Sequence, residues 1–137
     1  MKNIIGIDIG GTTIVGGRIE NDVIEEMKSA DTLALKGGET TIKVLKEIIE
    51  QLITPETEAI GIGVPSVVDR IKGIVYHVQN IKDWDEVHLK SMIEKEFNLP
   101  VFIDNDANCF AIGERIFGQG KDFLHFVGIT LGTGVGG

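Results

Sequence analysis

The sequence has one cysteine, three prolines and few aromatic side chains, which make up 6% of its 137 residues. One cysteine excludes an internal disulfide, and no signal-like segment precedes the first apolar run, so we expect a cytoplasmic protein. No apolar run approaches membrane-spanning length, and no membrane partner is expected. The formal net charge of -8 argues against a nucleic-acid partner, because such surfaces depend on Lys and Arg.

The order of hydrophobic patterns predicts a single α/β domain. Three strand-like runs at 3–9, 12–19 and 23–29 are joined by short turns, which is typical of an antiparallel meander. An amphipathic helix is predicted from Glu39 to about Thr54. The other predicted elements are strands at 59–64, 71–78, 101–103 and 123–131, a helix N-capped by Asp85, and a helix opening at 104–108 and C-capped by Gly118. We therefore expect a mixed five-stranded sheet, the meander extended by parallel strands, with helices on both faces.

Two glycine-rich turns follow apolar runs near the two ends of the chain. Glycine lets the backbone approach a ligand closely, so each turn can direct several N–H groups at an anion. The residues predicted to bind phosphate groups are Gly10, Gly11, Thr12 and Thr13 in the first turn, and Gly132, Thr133 and Gly134 in the second. The second turn is also compatible with a simple hairpin. Neither turn matches a Walker A loop or the dinucleotide-binding fingerprint.

Two aspartates have chemistry that suits phosphoryl transfer. Asp106 opens a predicted helix, where a carboxylate can accept the proton of a hydroxyl that attacks phosphorus. The structural alternative is that Asp106 and its neighbours Asp104 and Asn105 only cap this helix. Asp8 precedes the first glycine turn and would repel a phosphate unless a cation such as Mg²⁺ lay between them. Its structural alternative is an ordinary strand-end turn.

These motifs, in this order, resemble the first domain of a sugar kinase of the ROK family, which lies within the actin and hexokinase-like superfamily. The resemblance implies a ribonuclease H-like, actin-hexokinase-type ATPase domain. It is carried by Asp8-Ile9-Gly10-Gly11-Thr12, Gly63-Val64-Pro65, Asn80-Ile81-Lys82-Asp83-Trp84, Asn105-Asp106-Ala107-Asn108, Gly113-Glu114 and the final run from Leu131 to Gly137.

The resemblance also implies roles for individual residues. Asp106 is expected to be the catalytic base, and both Asn105 and Asp106 are expected to bind the sugar. Asp8 would orient Mg²⁺ through water, and the two glycine turns would hold the phosphates of ATP. Ser66 and Asn80 could contact the sugar or stabilise their own turns. The family commonly has glycine where this sequence has Ser66.

Three further residues have interpretations that the sequence alone leaves open. Trp84 is expected to pack in the core rather than to hold a sugar. Cys109 is expected to be a small buried helix residue rather than a nucleophile. Glu114 lies about two helical turns after Asp106, so it either faces the same side or is a solvated charge at a helix end.

The expected function is ATP-dependent phosphorylation of a hexose or N-acetylhexosamine hydroxyl, with glucokinase as the default. Residues 1–137 are expected to be the N-terminal domain of a longer kinase, inactive alone, because the second glycine turn is cut within its loop. The missing second domain would bring the family's zinc cluster, and related kinases often form homodimers. The alternative is a ROK-type sugar-sensing transcriptional regulator that lacks its DNA-binding module.

Overall fold

The computed structural model describes residues 3–131 and 135–136, which form ten strands, three α-helices and two short 3-10 helices. The strands are β1 (Asn3–Ile9), β2 (Thr13–Glu20), β3 (Val23–Asp31), β4 (Ala59–Val64), β5 (Val67–Asp69), β6 (Ile74–Tyr76), β7 (Glu86–Val87), β8 (Val101–Asn105), β9 (Thr130–Leu131) and β10 (Val135–Gly136). The helices are α1 (Gly38–Leu52), α2 (Leu89–Phe97) and α3 (Asp106–Ile116). In the described residues, no helix is long and apolar enough to cross a membrane.

The main sheet has five strands in the order β3-β2-β1-β4-β8. The first three pair antiparallel, as the short turns between them predict. β4 then pairs parallel with β1, and β8 pairs parallel with β4, so helical connections carry the chain back each time. The predicted mixed sheet, a meander extended by parallel strands, is confirmed.

Helices cover both faces of this sheet. Ile60, Ile62 and Val64 alternate along β4 onto the face where α1 and α2 complete one continuous apolar core. Gly63 faces the other way, and a Cβ on it would lie 3.5 Å from Cys109 Sγ and 3.6 Å from the Asp106 Cα. Since Asp106 and Cys109 belong to α3, this helix packs on the opposite face through a strand position without a side chain.

Trp84 is a packing residue, as predicted, and only 3% of it is exposed. Its indole ring lies against Gly38, the first residue of α1. A Cβ on Gly38 would lie 2.1 Å from Trp84 Cδ1 and 2.4 Å from Nε1. The start of α1 can approach the indole this closely only because position 38 has no side chain.

Two predictions for the middle of the chain need correction. Of the strand expected at 71–78, only Ile74–Tyr76 forms, as β6, and it pairs with β5 across a turn in which Gly73 has a positive φ of 66°. Asp85 does not cap a helix, because its carbonyl accepts from the His77 N–H at 2.9 Å and the next two residues pair as β7. A small three-stranded sheet, β5-β6-β7, therefore occupies a region where periodicity indicated one strand and a helix start.

Two predictions after residue 115 also failed. α3 ends at Ile116 with Phe117 as its C-cap, and Gly118 has a φ of -102° rather than the left-handed value of a glycine cap. Of the strand expected at 123–131, only Thr130–Leu131 pairs, and it pairs with β10 instead of the main sheet. The apolar side chains of this segment are open to solvent, with Leu124 82% and Val127 84% exposed.

Candidate active site

The candidate site lies where the carboxyl ends of three neighbouring parallel strands meet. Gly10 follows β1, Pro65 follows β4 and Asp106 follows β8. Because β1, β4 and β8 are adjacent and parallel, these three turns lie along one edge of the sheet. The same edge binds ligands in open α/β sheets generally.

Asp8 and Asp106 are brought together at this edge. Asp8 lies on β1 opposite Gly63, and the open space at Gly63 admits the first turn of α3 with Asp106. Partial burial raises the pKa of Asp8, and the negative charge of Asp106 raises it further. Two carboxylates that repel each other across a cleft favour a cation between them.

Asn105 joins the start of α3 to the turn after β4. Its side-chain oxygen accepts from the N–H of Ala107 at 3.0 Å and of Asn108 at 3.3 Å, so it is the N-cap of the helix. Its amide nitrogen donates to the Ser66 carbonyl at 3.2 Å. The capping predicted as the structural alternative is real, and it fixes Asp106 as the first residue of the helix.

The first glycine turn has a conformation that requires its glycine. The Gly10 N–H donates to the Thr13 carbonyl at 2.9 Å, and a Cβ on Gly10 would lie 2.8 Å from that oxygen. Thr12 and Thr13 are exposed at the turn. Gly11 lies against Asn80, whose Nδ2 is 3.6 Å from the position that a Cβ on Gly11 would take.

Asn80 lies beside this turn, on a loop whose two ends are joined by backbone hydrogen bonds. The His77 N–H donates to the Asp85 carbonyl at 2.9 Å, and the Val78 N–H donates to the Trp84 carbonyl at 3.0 Å. Trp84, Val78 and Ile81 are buried, whereas Asn80 is exposed. Buried apolar side chains thus anchor a loop that presents one amide side chain beside the glycine turn.

The Ser66 hydroxyl is already engaged within the protein. It donates to the Tyr76 carbonyl on β6, which ties the turn after β4 to the small sheet. The turn-stabilising alternative is therefore realised for the hydroxyl proton, while the oxygen can still accept a hydrogen bond. Contact of Ser66 with a sugar stays a prediction.

Asp104 and Cys109 lie near Asp8 and Asp106, but their contacts indicate structural roles. Burial alone would raise the pKa of Asp104, but hydrogen bonds from the Asn108 side chain, the Asn105 N–H and Arg70 lower it overall. The Arg70 Nη1 lies 3.3 Å from Asp104 Oδ2. Burial raises the pKa of the Cys109 thiol, and the charges of Asp104, Asp8 and Asp106 add to the effect. Cys109 is half-buried rather than fully buried, and the raised pKa of its thiol agrees with a packing residue rather than a nucleophile.

The described residues include only part of the second glycine turn. Gly132, Thr133 and Gly134 lie outside the described residues, so their predicted contacts stay predictions. Gly136 lies beside the start of α3, because a Cβ on it would be 3.1 Å from the Ala107 Cβ. Glu114 accepts from the Gln119 N–H at 2.9 Å and supports the turn after α3, which favours its structural interpretation.

The sequence and the fold were compared with those of known proteins. The sequence profile of the ROK family matches residues 4–137. A glucokinase from Thermotoga maritima is 41% identical over 136 residues, covering 98% of this chain and 43% of that protein. A xylose repressor from Caldicellulosiruptor bescii is 38% identical over 146 residues, covering 97% of this chain and 36% of that protein. The crystal structure of a ROK family glucokinase from Streptomyces griseus with glucose and AMPPNP superposes with a TM-score of 0.83 at 34% identity, covering 98% of this chain and 43% of that one. The chain thus spans less than half the length of each relative.

Proposed function

We propose, because this chain belongs to the ROK family, that the whole protein is an ATP-dependent kinase that phosphorylates a sugar hydroxyl. The observation that carries the proposal is the placement of Asp8, Asp106 and the Gly10–Gly11 turn at one sheet edge. Phosphoryl transfer needs a base for the attacking hydroxyl and donors for the phosphate oxygens. The likeness to glucokinases of known sequence and structure supports glucose as the first substrate to test.

Asp106 is the proposed catalytic base. Its carboxylate lies in the first turn of α3, at the same sheet edge as Asp8 and the Gly10–Gly11 turn. The sugar hydroxyl would pass its proton to Asp106 while its oxygen attacks the γ-phosphorus, and ADP would leave with the electron pair of the broken bond. Asn105 and Asn80 would hold other sugar hydroxyls, since both offer amides at the same edge.

Asp8 fits the cation that ATP normally brings. In the described part of the chain Asp8 has no cationic partner, and the nearby Asp106 charge already opposes its ionisation. A bound Mg²⁺ would supply positive charge to neutralise the phosphates. The role of Asp8 is then to orient this ion, through water, next to the phosphates that Gly10, Gly11, Thr12 and Thr13 contact. Gly132, Thr133 and Gly134 are proposed as the second phosphate-binding segment.

The rest of the whole protein is proposed to complete the site. The exposed apolar side chains of α3 and of the segment after it offer a second domain a surface to pack on. That domain would bring the remainder of the sugar pocket, the adenine site and a zinc cluster, and a homodimer is an option for the whole protein. We place the reaction in the cytoplasm, where ATP is available, and expect residues 1–137 alone to show no turnover.

A sugar-responsive transcriptional regulator is the second candidate, because a xylose repressor shares 38% identity with this chain. A regulator of this kind would bind a sugar at the same edge and would bind DNA through a separate module. Coupled measurement of ADP release against a panel of hexoses and N-acetylhexosamines separates the two functions. A protein that binds a sugar tightly but releases no ADP would favour the regulator.

Exchange of Asp106 tests the proposed kinase mechanism directly. Asp106→Asn in the full-length protein keeps the size of the side chain and removes the base, so kcat should fall by about 100-fold or more. Asp104→Asn is the matched control, because it removes a neighbouring carboxylate that Arg70 and Asn108 hold in place. Its kcat should stay near that of the wild type. Near-normal turnover by Asp106→Asn would refute the assignment of the base.

A further inference from the structure

Thr32, the residue after β3, is a fully buried polar side chain directly behind the first glycine turn. Its hydroxyl donates to the Gly10 carbonyl at 2.7 Å, and its backbone N–H donates to the Thr12 carbonyl at 2.8 Å. One residue therefore holds two of the carbonyls of the turn. A buried hydroxyl that had no acceptor would be costly, so this contact is a stable part of the fold.

The hydrogen bond to Gly10 controls the direction of the next N–H group. Gly10 and Gly11 share one planar peptide unit, and every peptide bond in the described chain is trans. In a trans unit the carbonyl and the N–H point in opposite directions. When Thr32 holds the Gly10 carbonyl towards the interior, the Gly11 N–H must point outwards, away from the buried hydroxyl.

The Gly11 N–H is available for a ligand. It donates to no protein acceptor among the described residues. Gly11 also lies beside the exposed Asn80, at the edge where Asp8 and Asp106 meet. An outward N–H that no protein group uses, in a turn fixed from behind, is the arrangement expected of a preformed anion donor.

A second buried threonine holds Thr32 itself. Thr41, in the first turn of α1, donates through its hydroxyl to the Thr32 carbonyl at 3.0 Å. The same hydroxyl lies 3.5 Å from the Gly37 carbonyl, and the Thr41 N–H donates to that carbonyl at 3.2 Å. Hydrogen bonds thus run without a break from the start of α1, through Thr41 and Thr32, to the glycine turn.

We propose that Thr32 is a positioning residue for nucleotide binding, which presets the Gly11 N–H towards a phosphate oxygen by holding the Gly10 carbonyl from behind. This role rests on the proposed function, since it takes that phosphate to belong to the nucleotide. Thr32 touches no ligand itself. Its effect should therefore appear in nucleotide affinity, and the sugar should bind as before.

The test compares Thr32→Val with Thr32→Ser in the full-length protein. Valine keeps the shape and loses the hydroxyl, so the KM for ATP should rise about tenfold, the contribution of one hydrogen bond, with the sugar KM within about twofold. Serine keeps the hydroxyl and should restore the ATP KM. The control is Thr57→Val, which removes a buried hydroxyl that accepts from the Thr54 N–H at 3.0 Å, before β4 at the far end of the strand. It should lower stability without changing either KM.

Calorimetric measurement of the affinity for a non-hydrolysable ATP analogue tests the role of Thr32 independently of the kinase assignment. A wild-type protein that binds the analogue but phosphorylates no sugar would overturn the kinase assignment, while the Thr32 variants would still test the positioning role. If Thr32→Val does not fold, Thr32→Ala and Thr32→Ser differ by the hydroxyl alone and give the same comparison. Equal analogue affinity for the variants with and without the hydroxyl, or an equal loss in Thr57→Val, would overturn the role of Thr32.

Discussion

Exchange of Gly38 for alanine should be strongly destabilising, although it adds only one methyl group. The new Cβ would lie 2.1 Å from Trp84 Cδ1 and 2.4 Å from Nε1, whereas carbon atoms in contact are normally about 3.5 to 4.0 Å apart. The indole is buried and belongs to a rigid core, so it cannot turn away into solvent. Overpacking of this kind costs about 1 to 3 kcal/mol.

Two signals report this change. At about 2 to 4 °C per kcal/mol, the melting temperature should fall by roughly 2 to 12 °C. Trp84 is the only tryptophan of the 137 residues, so displacement of its ring should also shift the emission of a single fluorophore to longer wavelength. Trp84 closes the loop that carries Asn80, and the KM for the sugar should therefore rise when the same substitution is made in the full-length protein.

Gly113→Ala is the matched control, since it adds the same methyl group inside a helix where there is room. Among the described residues a Cβ at Gly113 meets no atom within 4 Å. The better helix propensity of alanine should stabilise α3 by about 0.5 to 1 kcal/mol, so the melting temperature should rise slightly. If the melting temperature of Gly38→Ala equalled that of Gly113→Ala and was at or above that of the wild type, the close-packing argument would be wrong.

Three further substitutions, at two positions, test the electrostatics and the capping of the site. The folded-state pKa of Asp8 is raised, so its ionised form destabilises the ligand-free protein. Asp8→Asn should therefore melt higher than wild type near neutral pH, and the difference in melting temperature should vanish as the pH falls towards about 4. A difference that does not depend on pH would contradict the charge argument. Asn105→Ala removes the N-cap of α3 and should cost about 1 kcal/mol, measured by urea denaturation. Asn105→Asp still caps the helix but cannot donate to the Ser66 carbonyl, so it should lose less stability than Asn105→Ala and bind sugar more weakly than wild type. Equal stability losses in both variants would contradict this division of roles.

The sequence was most informative where one strong pattern extended over many residues. The meander from Asn3 to Asp31 and the helix Gly38–Leu52 follow directly from hydrophobic periodicity and short turns. Of the small sheet β5-β6-β7, β6 lies within the predicted strand at 71–78, whereas β5 and β7 were missed because two or three residues are too few to show a period. Asp85 has the composition of a helix cap, but its carbonyl pairs with His77 instead, and such a long-range contact leaves no local signal.

Some residues of the candidate site were also predictable from the sequence, and others were not. Asp8, Gly10, Gly11 and Asp106 were predictable because each lies at the end of a strand or in the turn after it, and the structure brings them to one edge. Thr32 was not predicted, because a threonine at the end of a strand is ordinary and its link to Gly10 spans 22 residues. Residues that touch a ligand leave local motifs, whereas residues that orient those motifs from behind become apparent only in the folded structure.

The double attachment of Asn105 limits how this site can diversify. The same side chain caps the helix through its oxygen and holds the turn after β4 through its nitrogen. A change at this position made to suit a different sugar would therefore also weaken the fold. Asn80 is exposed, and its loop is anchored by other side chains, so it can vary at little structural cost. New substrate preferences should thus arise at a lower cost in stability by mutation around position 80 than at position 105.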